Sequence, residues 1–578
     1  MADTTSSATA LADLSQRFWD GYLEAAPTFA TVMGDRRFDD KLADVTPAAV
    51  ARDIAFLDGV ASEAAGIDDA DLTAVEKVTR RMLVDEASAA ARQLRTRTQE
   101  WSVDPLFGPT MWLLDLVDYQ TITTPEDGAK LVARWNAIGK FFDDTRANLR
   151  EAAADGAVAV AKPVERVVDI LDHVLAEPPE RWKLATPADT PHDDWSDRDL
   201  AAFRSALLEA VSEVAAPAFR RYRDTIARDI LPIARPDDKP GLLHVPGGAE
   251  AYRELIRVHT TLDLAPEDIH QTGLAEIERI DREFVDLGGR VLGTKDLEGT
   301  LAALRDDPRL RFDNADEVFE TAKRSLARAQ EAMTDWFGRI PGAACMVVPV
   351  PTHSQEHQTI AYYAWPALDG SRPGRYYINL FAPETRPRYE AEALAFHEAV
   401  PGHHLQIAIA QELPGLPAFQ RALGSTAFAE GWGLYTERLS DEMGLYSGDM
   451  DRFGILSFDA WRAGRLVVDT GMHALGWTRQ QAIDFLKAHT ALGENNIVNE
   501  VDRYIVMPGQ ALAYKTGQLE ILRLRDEARS RLGSSFDIKA FHDTVLGSGA
   551  VSLPILRELV GDWVDAASRS ASGAEASL

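Results

Sequence analysis

Three histidines and a glutamate fall within eight residues at His397-Glu398-Ala399-Val400-Pro401-Gly402-His403-His404. Neutral imidazole nitrogens ligate divalent metals, zinc in particular, and a carboxylate beside the first histidine is where a metallohydrolase needs the base that takes a proton from water. The spacing departs from the familiar H-E-x-x-H, in which two imidazoles four residues apart share one helical face. Residue 401 is proline, and the next histidines stand six and seven positions after His397. On an unbroken helix His404 would return close to the azimuth of His397, with His403 about 120° away. Pro401 lacks an N–H and crowds the carbonyl of His397, and Gly402 frees the backbone, so the helix is expected to kink or bulge here. Such a break swings His403 back toward the ion and leaves both His403 and His404 open as the second ligand.

A second chemical stretch runs from Ser425 to Glu437. Ser425 or Thr426 suits a helix N-cap, and Phe428, Trp432, Tyr435 and Leu439 form an apolar stripe that leaves Glu430 and Glu437 on another face. Glu430 follows His403 by 27 residues. That is room for one helix to end, a loop holding Pro414 and Pro417 to turn, and a second helix to return alongside. Two neighbouring helices can then complete a three-ligand site.

Together, H-E-x-x-P-G-H-H-x-Q and E-G-W-x-x-Y-x-E resemble the DUF885 family of bacterial proteins, which belongs with the gluzincin-type metallopeptidases. The resemblance reaches from Pro27–Asp35 to Met507–Lys515 and so covers most of the chain. It implies Zn2+ held by His397 and Glu430, with Glu398 as general base. A likeness of Gly402-His403 to the Gly-His of oligopeptidases favours His403 as the other ligand, and His404 is the alternative. Gluzincins donate a tyrosine or histidine hydrogen bond to the developing oxyanion, which Tyr514 or, second, His473 would supply. Glu437 would accept a hydrogen bond from a ligand histidine. In gluzincins the strand before the H-E helix lies along the metal cleft; its counterpart is Arg375–Phe381, whose exposed edge, including Asn379, could pair with a peptide. Arg465, Gln510 and Lys515 are further candidates for substrate binding.

The elements that must position these residues are mainly helical. From Leu11 to about Pro232 apolar residues recur every three or four positions, without a catalytic cluster. Pro232, Pro236, Pro240 and Gly241 mark a boundary, which predicts an N-terminal helical lobe over 1–240 and a catalytic lobe over 241–578. Within the second lobe, β-branched and aromatic runs broken by Gly and Pro predict a small sheet at about 345–382. Active-site helices follow at about 387–440. The expected fold is therefore a mainly α, zincin-like protein with a small β-sheet beside the active-site helices and two lobes around a cleft. His353-Ser354-Gln355-Glu356-His357 also fits the inverted pattern H-x-x-E-H, but Pro349 and Pro351 before it and a β-type run after it leave little room for a helix. Asp469 and His473, four apart, can pair on a helix, and the segment from Ala566 to the end reads as a frayed tail.

Composition narrows the function. The 578 residues, 46% hydrophobic and 26% charged, can bury more than one core. A single cysteine, Cys345, excludes an intramolecular disulfide framework. A formal charge of −30 with no basic stripe argues against a nucleic-acid partner. The absence of a signal-like start or a long apolar run argues against a membrane partner and predicts a cytoplasmic protein. The sequence carries no signal for oligomeric state. The function predicted is zinc-dependent hydrolysis, most directly of short peptides. The alternatives are an amidase or esterase acting on a non-peptide substrate, and a helical binding protein with a structural metal.

Overall fold

The computed structural model describes residues 6–352, 355, 359–366 and 372–575. Helices dominate, and local sequence explains their ends. Thr73 and Glu76 form a capping box at the start of Ala74–Arg95, Thr124 and Asp127 do so for Pro125–Ala154, and prolines open several helices where a missing N–H has no consequence. None of the described helices is long and apolar enough to cross a membrane.

Apolar side chains collect in two large cores. One packs Phe18 and Leu83 of the N-terminal helices against Phe396, Phe419, Trp432, Phe541 and Leu556 from the second half of the chain. The buried residues of the other all fall within 103–230, around Trp135, Phe142, Leu171 and Phe219, with Leu42 and Val45 packed against it. The Pro/Gly stretch before residue 241 thus ends the second core. It does not close off residues 1–240 as one body, because residues 11–91 belong to the first core.

The helix Arg452–His473 runs through the protein with nearly every side chain buried. Burial on all sides is the property of a helix inside a large protein, not of one lining its surface. Of the expected frayed tail, residues 566–575 continue the helix Leu553–Glu575, and the last three lie outside the described residues.

The sheet has three strands, β1 (Cys345–Pro349), β2 (Ala361–Ala364) and β3 (Gly374–Ile378), in the order β1-β3-β2. β1 runs parallel to β3 and β2 antiparallel to it. Gly374, Tyr376 and Ile378 point to the core, while Arg375 and Tyr377 alternate outward. β3 is therefore the central strand with both edges paired, which corrects the expectation that Arg375–Phe381 offers a free edge to a peptide. The inverted histidine pattern at His353, Glu356 and His357 lies outside the described residues.

Candidate metal centre

The helix Ala391–Glu398 stops where the sequence inserts proline and glycine. Ala399 and Gly402 leave helical geometry, the Val400-Pro401 peptide is cis, and a new helix, His403–Glu412, begins at once. The turn admits only glycine at 402, since a Cβ there would lie 1.9 Å from the carbonyl oxygen of His397. Trp432 fastens it by donating from Nε1 to the carbonyl of Pro401 at 2.9 Å. Trp432 belongs to the helix Thr426–Glu442, capped by Ser425, whose Oγ accepts from the N–H of Phe428. Gly433 brings this helix against the His397 ring, where a methyl group would come within 2.7 Å of Cε1. Gly431 meets Gly517 of the helix Ala513–Leu532 in the same close manner.

These contacts bring His397, His403 and Glu430 together, with one possible ligand atom from each within 4.8 Å of the others. Glu430 Oε2 lies 3.7 Å from His397 Nε2 and 3.5 Å from His403 Nε2. Atoms about 2.0–2.1 Å from one zinc stand about 3.4 Å apart on a tetrahedron, so the donor set and its spacing fit that ion. The tautomer fits as well. His397 Nδ1 bonds to Glu437 Oε1 at 2.8 Å, which directs Nε2 and its lone pair toward Glu430 and His403. Glu437 is buried, so this brace is held away from water.

The surroundings attract positive charge. Burial opposes protonation of His397, but hydrogen bonds to Glu430 and Glu437, together with the charges of Glu437 and Glu398, push its pKa up to about 10. Burial likewise opposes ionisation of Glu430, yet His397 and His403 hold its carboxyl well below the usual range. Glu398 is half-buried and makes no hydrogen bond or ion pair among the described residues. Tyr376 on β3 is fully buried with its hydroxyl unpartnered, and its pKa is raised first by burial and then by the charge of Glu398. Sequence alone did not single out Tyr376; its inward position in an alternating strand was the available signal.

None of the remaining expected residues joins the His-His-Glu cluster. His404 is turned away: its Nδ1 bonds to the Tyr363 hydroxyl at 2.7 Å and its Nε2 to the carbonyl of Ala343 at 3.1 Å. The alternative second ligand is thus occupied on both nitrogens. His473 is fully buried, with Nδ1 accepting from the N–H of Leu242 and Nε2 donating to the carbonyl of Tyr504. Burial lowers its pKa to about 4. It is a structural brace with no proton to give a substrate, which corrects its candidacy as catalytic donor. Nor does it pair with Asp469, which accepts from the Tyr252 hydroxyl and the N–H of Gly509. Asn379 is buried and bonds to the carbonyls of Gln355 and Thr359 and the N–H of Phe381, so it ties loops together instead of meeting substrate. Lys515 is also buried, held by Asp459, Glu276 and Gln518, and is no substrate contact. Arg465, Gln510 and Tyr514 gather in one group at the helix Arg452–His473, in which Gln510 accepts from Arg503 and Arg465 stacks on Tyr514.

A mainly helical protein with a small mixed sheet and a convergent His-His-Glu cluster is the class that fold and site define. Residues 27–560 match the family described as "Bacterial protein of unknown function (DUF885)". The chain belongs to that family. A solved structure described as the "putative lipoprotein from Colwellia psychrerythraea" is similar at 27% identity and a TM-score of 0.91, covering 97% of this chain and 99% of that one. Another, described as a "putative lipoprotein of unknown function from Shewanella oneidensis", shares the fold at 18% identity and a TM-score of 0.76, over 96% of this chain and 100% of that one. No curated protein matches the sequence.

Proposed function

We propose that the chain is a zinc-dependent hydrolase of the gluzincin type that cleaves amide bonds in short peptides, in a cleft between two lobes. The observation that carries this reading is the convergence of His397, His403 and Glu430 beside an unengaged Glu398. Three protein ligands leave a fourth position open, the coordination of a catalytic and not a structural zinc. Zinc bound there supplies a Lewis acid for water and for the scissile carbonyl.

The chain's own residues do the rest. Glu437 fixes the His397 tautomer and ring orientation. Glu398, free of competing bonds, takes the proton of the attacking water and passes it to the leaving amine. Tyr514 is the hydroxyl donor to the developing oxyanion, on a helix packed through Gly517 against the neighbour of Glu430.

The test is Glu398→Gln assayed beside wild type on a panel of short peptides, small amides and esters with zinc supplied. Wild type is expected to turn over peptides, and the variant to lose at least about a hundredfold in kcat while retaining its metal. Equal activity in both proteins would remove Glu398 as base. Turnover confined to small amides or esters would move the substrate class, and zinc retention without turnover of any panel member would leave a binding protein with a structural ion. For compartment, relatives described as lipoproteins set an envelope location against the expected cytoplasmic one, and fractionation of the producing cells separates the two.

A further inference from the structure

Arg462, Arg465 and Arg503 gather around the ring of Tyr514 with more donors than acceptors. The guanidinium carbons of Arg465 and Arg462 lie 4.3 Å and 6.0 Å from that ring's centre, and Arg503 is near enough to interact with Tyr514 through charge. Arg465 donates to the Tyr504 hydroxyl and to Glu500, each at 2.9 Å, but its Nη1 is buried without a partner. Arg503 donates to Gln510 at 3.1 Å and leaves a buried Nε unmatched. Arg462 is the extreme case. It is only 6% exposed, makes no hydrogen bond or ion pair among the described residues, and has both Nε and Nη1 buried without acceptors. Stacking on Phe458 at 4.5 Å and Trp461 at 4.3 Å holds it in place.

Arg465 and Arg503 thus share one carboxylate, Glu500, while Arg462 has no ion-pair partner among the described residues. The other acids nearby use their hydrogen bonds elsewhere, Glu390 on the Ser457 hydroxyl, Asp469 on Tyr252 and Gly509, and Asp104 on the N–H groups of Leu106 and Phe107, and reach these arginines through charge alone. Buried guanidinium donors left without acceptors in this way are costly until an anion arrives to accept from them. The group also borders the candidate metal centre. Lys515, adjacent to Tyr514, shares Asp459 with Arg438 of the Glu430 helix, and Arg462 lies about one turn beyond Asp459. At its outer end the Arg503 side chain is 19% exposed and its guanidinium lies 5.9 Å over the ring of Phe107, itself 58% exposed, so solvent reaches the group at Arg503.

We infer that this arginine group is an anion subsite that receives the C-terminal carboxylate of a peptide substrate. Planar guanidinium forks match a carboxylate by paired charge-assisted hydrogen bonds, and Arg462 has the donors free to make them. The substrate assignment rests on the hydrolase reading, but the binding step can be measured without turnover.

Isothermal titration of the Glu398→Gln protein with trialanine and with trialanine amide tests it. The free acid should bind about tenfold or more tighter than the amide. That preference should collapse in Arg462→Gln and shrink in Arg503→Gln, a more exposed position less apt to disturb folding, with an unchanged Tm verifying each fold. Equal affinity for acid and amide, no detectable binding of the acid, or a preference surviving both substitutions would overturn the subsite. If a tripeptide amide with a central glutamate binds as tightly as trialanine, the anion recognised is an acidic side chain and the C-terminal assignment falls. Preference without turnover in wild type would defeat the hydrolase reading alone, whereas turnover without preference would defeat the subsite alone.

Discussion

At the scale of residues, hydrogen bonds separate the adjacent histidines 403 and 404. His404 has a partner on each ring nitrogen, whereas the Nε2 of His403 faces Glu430 at 3.5 Å. His397, Glu398 and Glu430 were legible in the sequence from residue type and spacing. The choice between 403 and 404 was not, because the direction of a side chain after a Pro-Gly break depends on how the turn folds back. Glu437, one heptad beyond Glu430, was anticipated as the partner of a ligand histidine, and it stands 2.8 Å from His397 Nδ1. Glu437→Gln keeps the shape of this contact and removes its charge. Its zinc affinity, measured by chelator competition, is expected to fall about 10- to 100-fold, and an unchanged affinity would show that the contact does not tune the ligand.

At the scale of elements, the candidate ligands are placed by close helix contacts that depend on glycine. Gly433→Ala would drive a methyl group into the His397 ring, 2.7 Å from Cε1. Zinc affinity and Tm should therefore fall together, and loss of Tm with full affinity would mean that the helix moves without disturbing His397. The sheet shows where the sequence ran out. Composition gave the strand Gly374–Ile378, but strand order comes from long-range pairing, and that placed it in the middle. The Asp469–His473 pair failed for a similar reason. A spacing of four makes neighbours on an exposed helix, but Arg452–His473 is buried on all sides and each side chain bonds outward to another element.

At the scale of the whole molecule, the N-terminal helices join the core that holds the site helices, while residues 103–230 form a core of their own. The mainly helical character and the small sheet were readable from periodicity. The sharing of one core between the two ends of the chain was not, because an apolar stripe does not name its partner. Buried charge gives this architecture a pH dependence. Burial pushes the Asp469 carboxyl from its ordinary 3.8 up to about 7, against the bonds from Tyr252 and Gly509 and the charge of Arg465. Between about pH 4 and 7 the folded chain keeps a proton that the unfolded chain releases, so this residue's contribution to stability is lost as pH rises through that window. Asp469→Asn removes the titration while keeping an acceptor. Thermal unfolding should show the Tm of wild type falling relative to the variant from pH 4 to pH 7, whereas parallel curves would place the carboxyl in a wetter site.

Sharing of one ion by three helices, two of them joined across a broken turn, is the central claim, and elemental analysis of zinc-loaded, desalted protein addresses it most directly. Wild type and His404→Ala should each carry about one zinc per chain, and His403→Ala and Glu430→Ala essentially none. Zinc kept by His403→Ala and lost from His404→Ala, or no zinc in the wild-type protein, would contradict it.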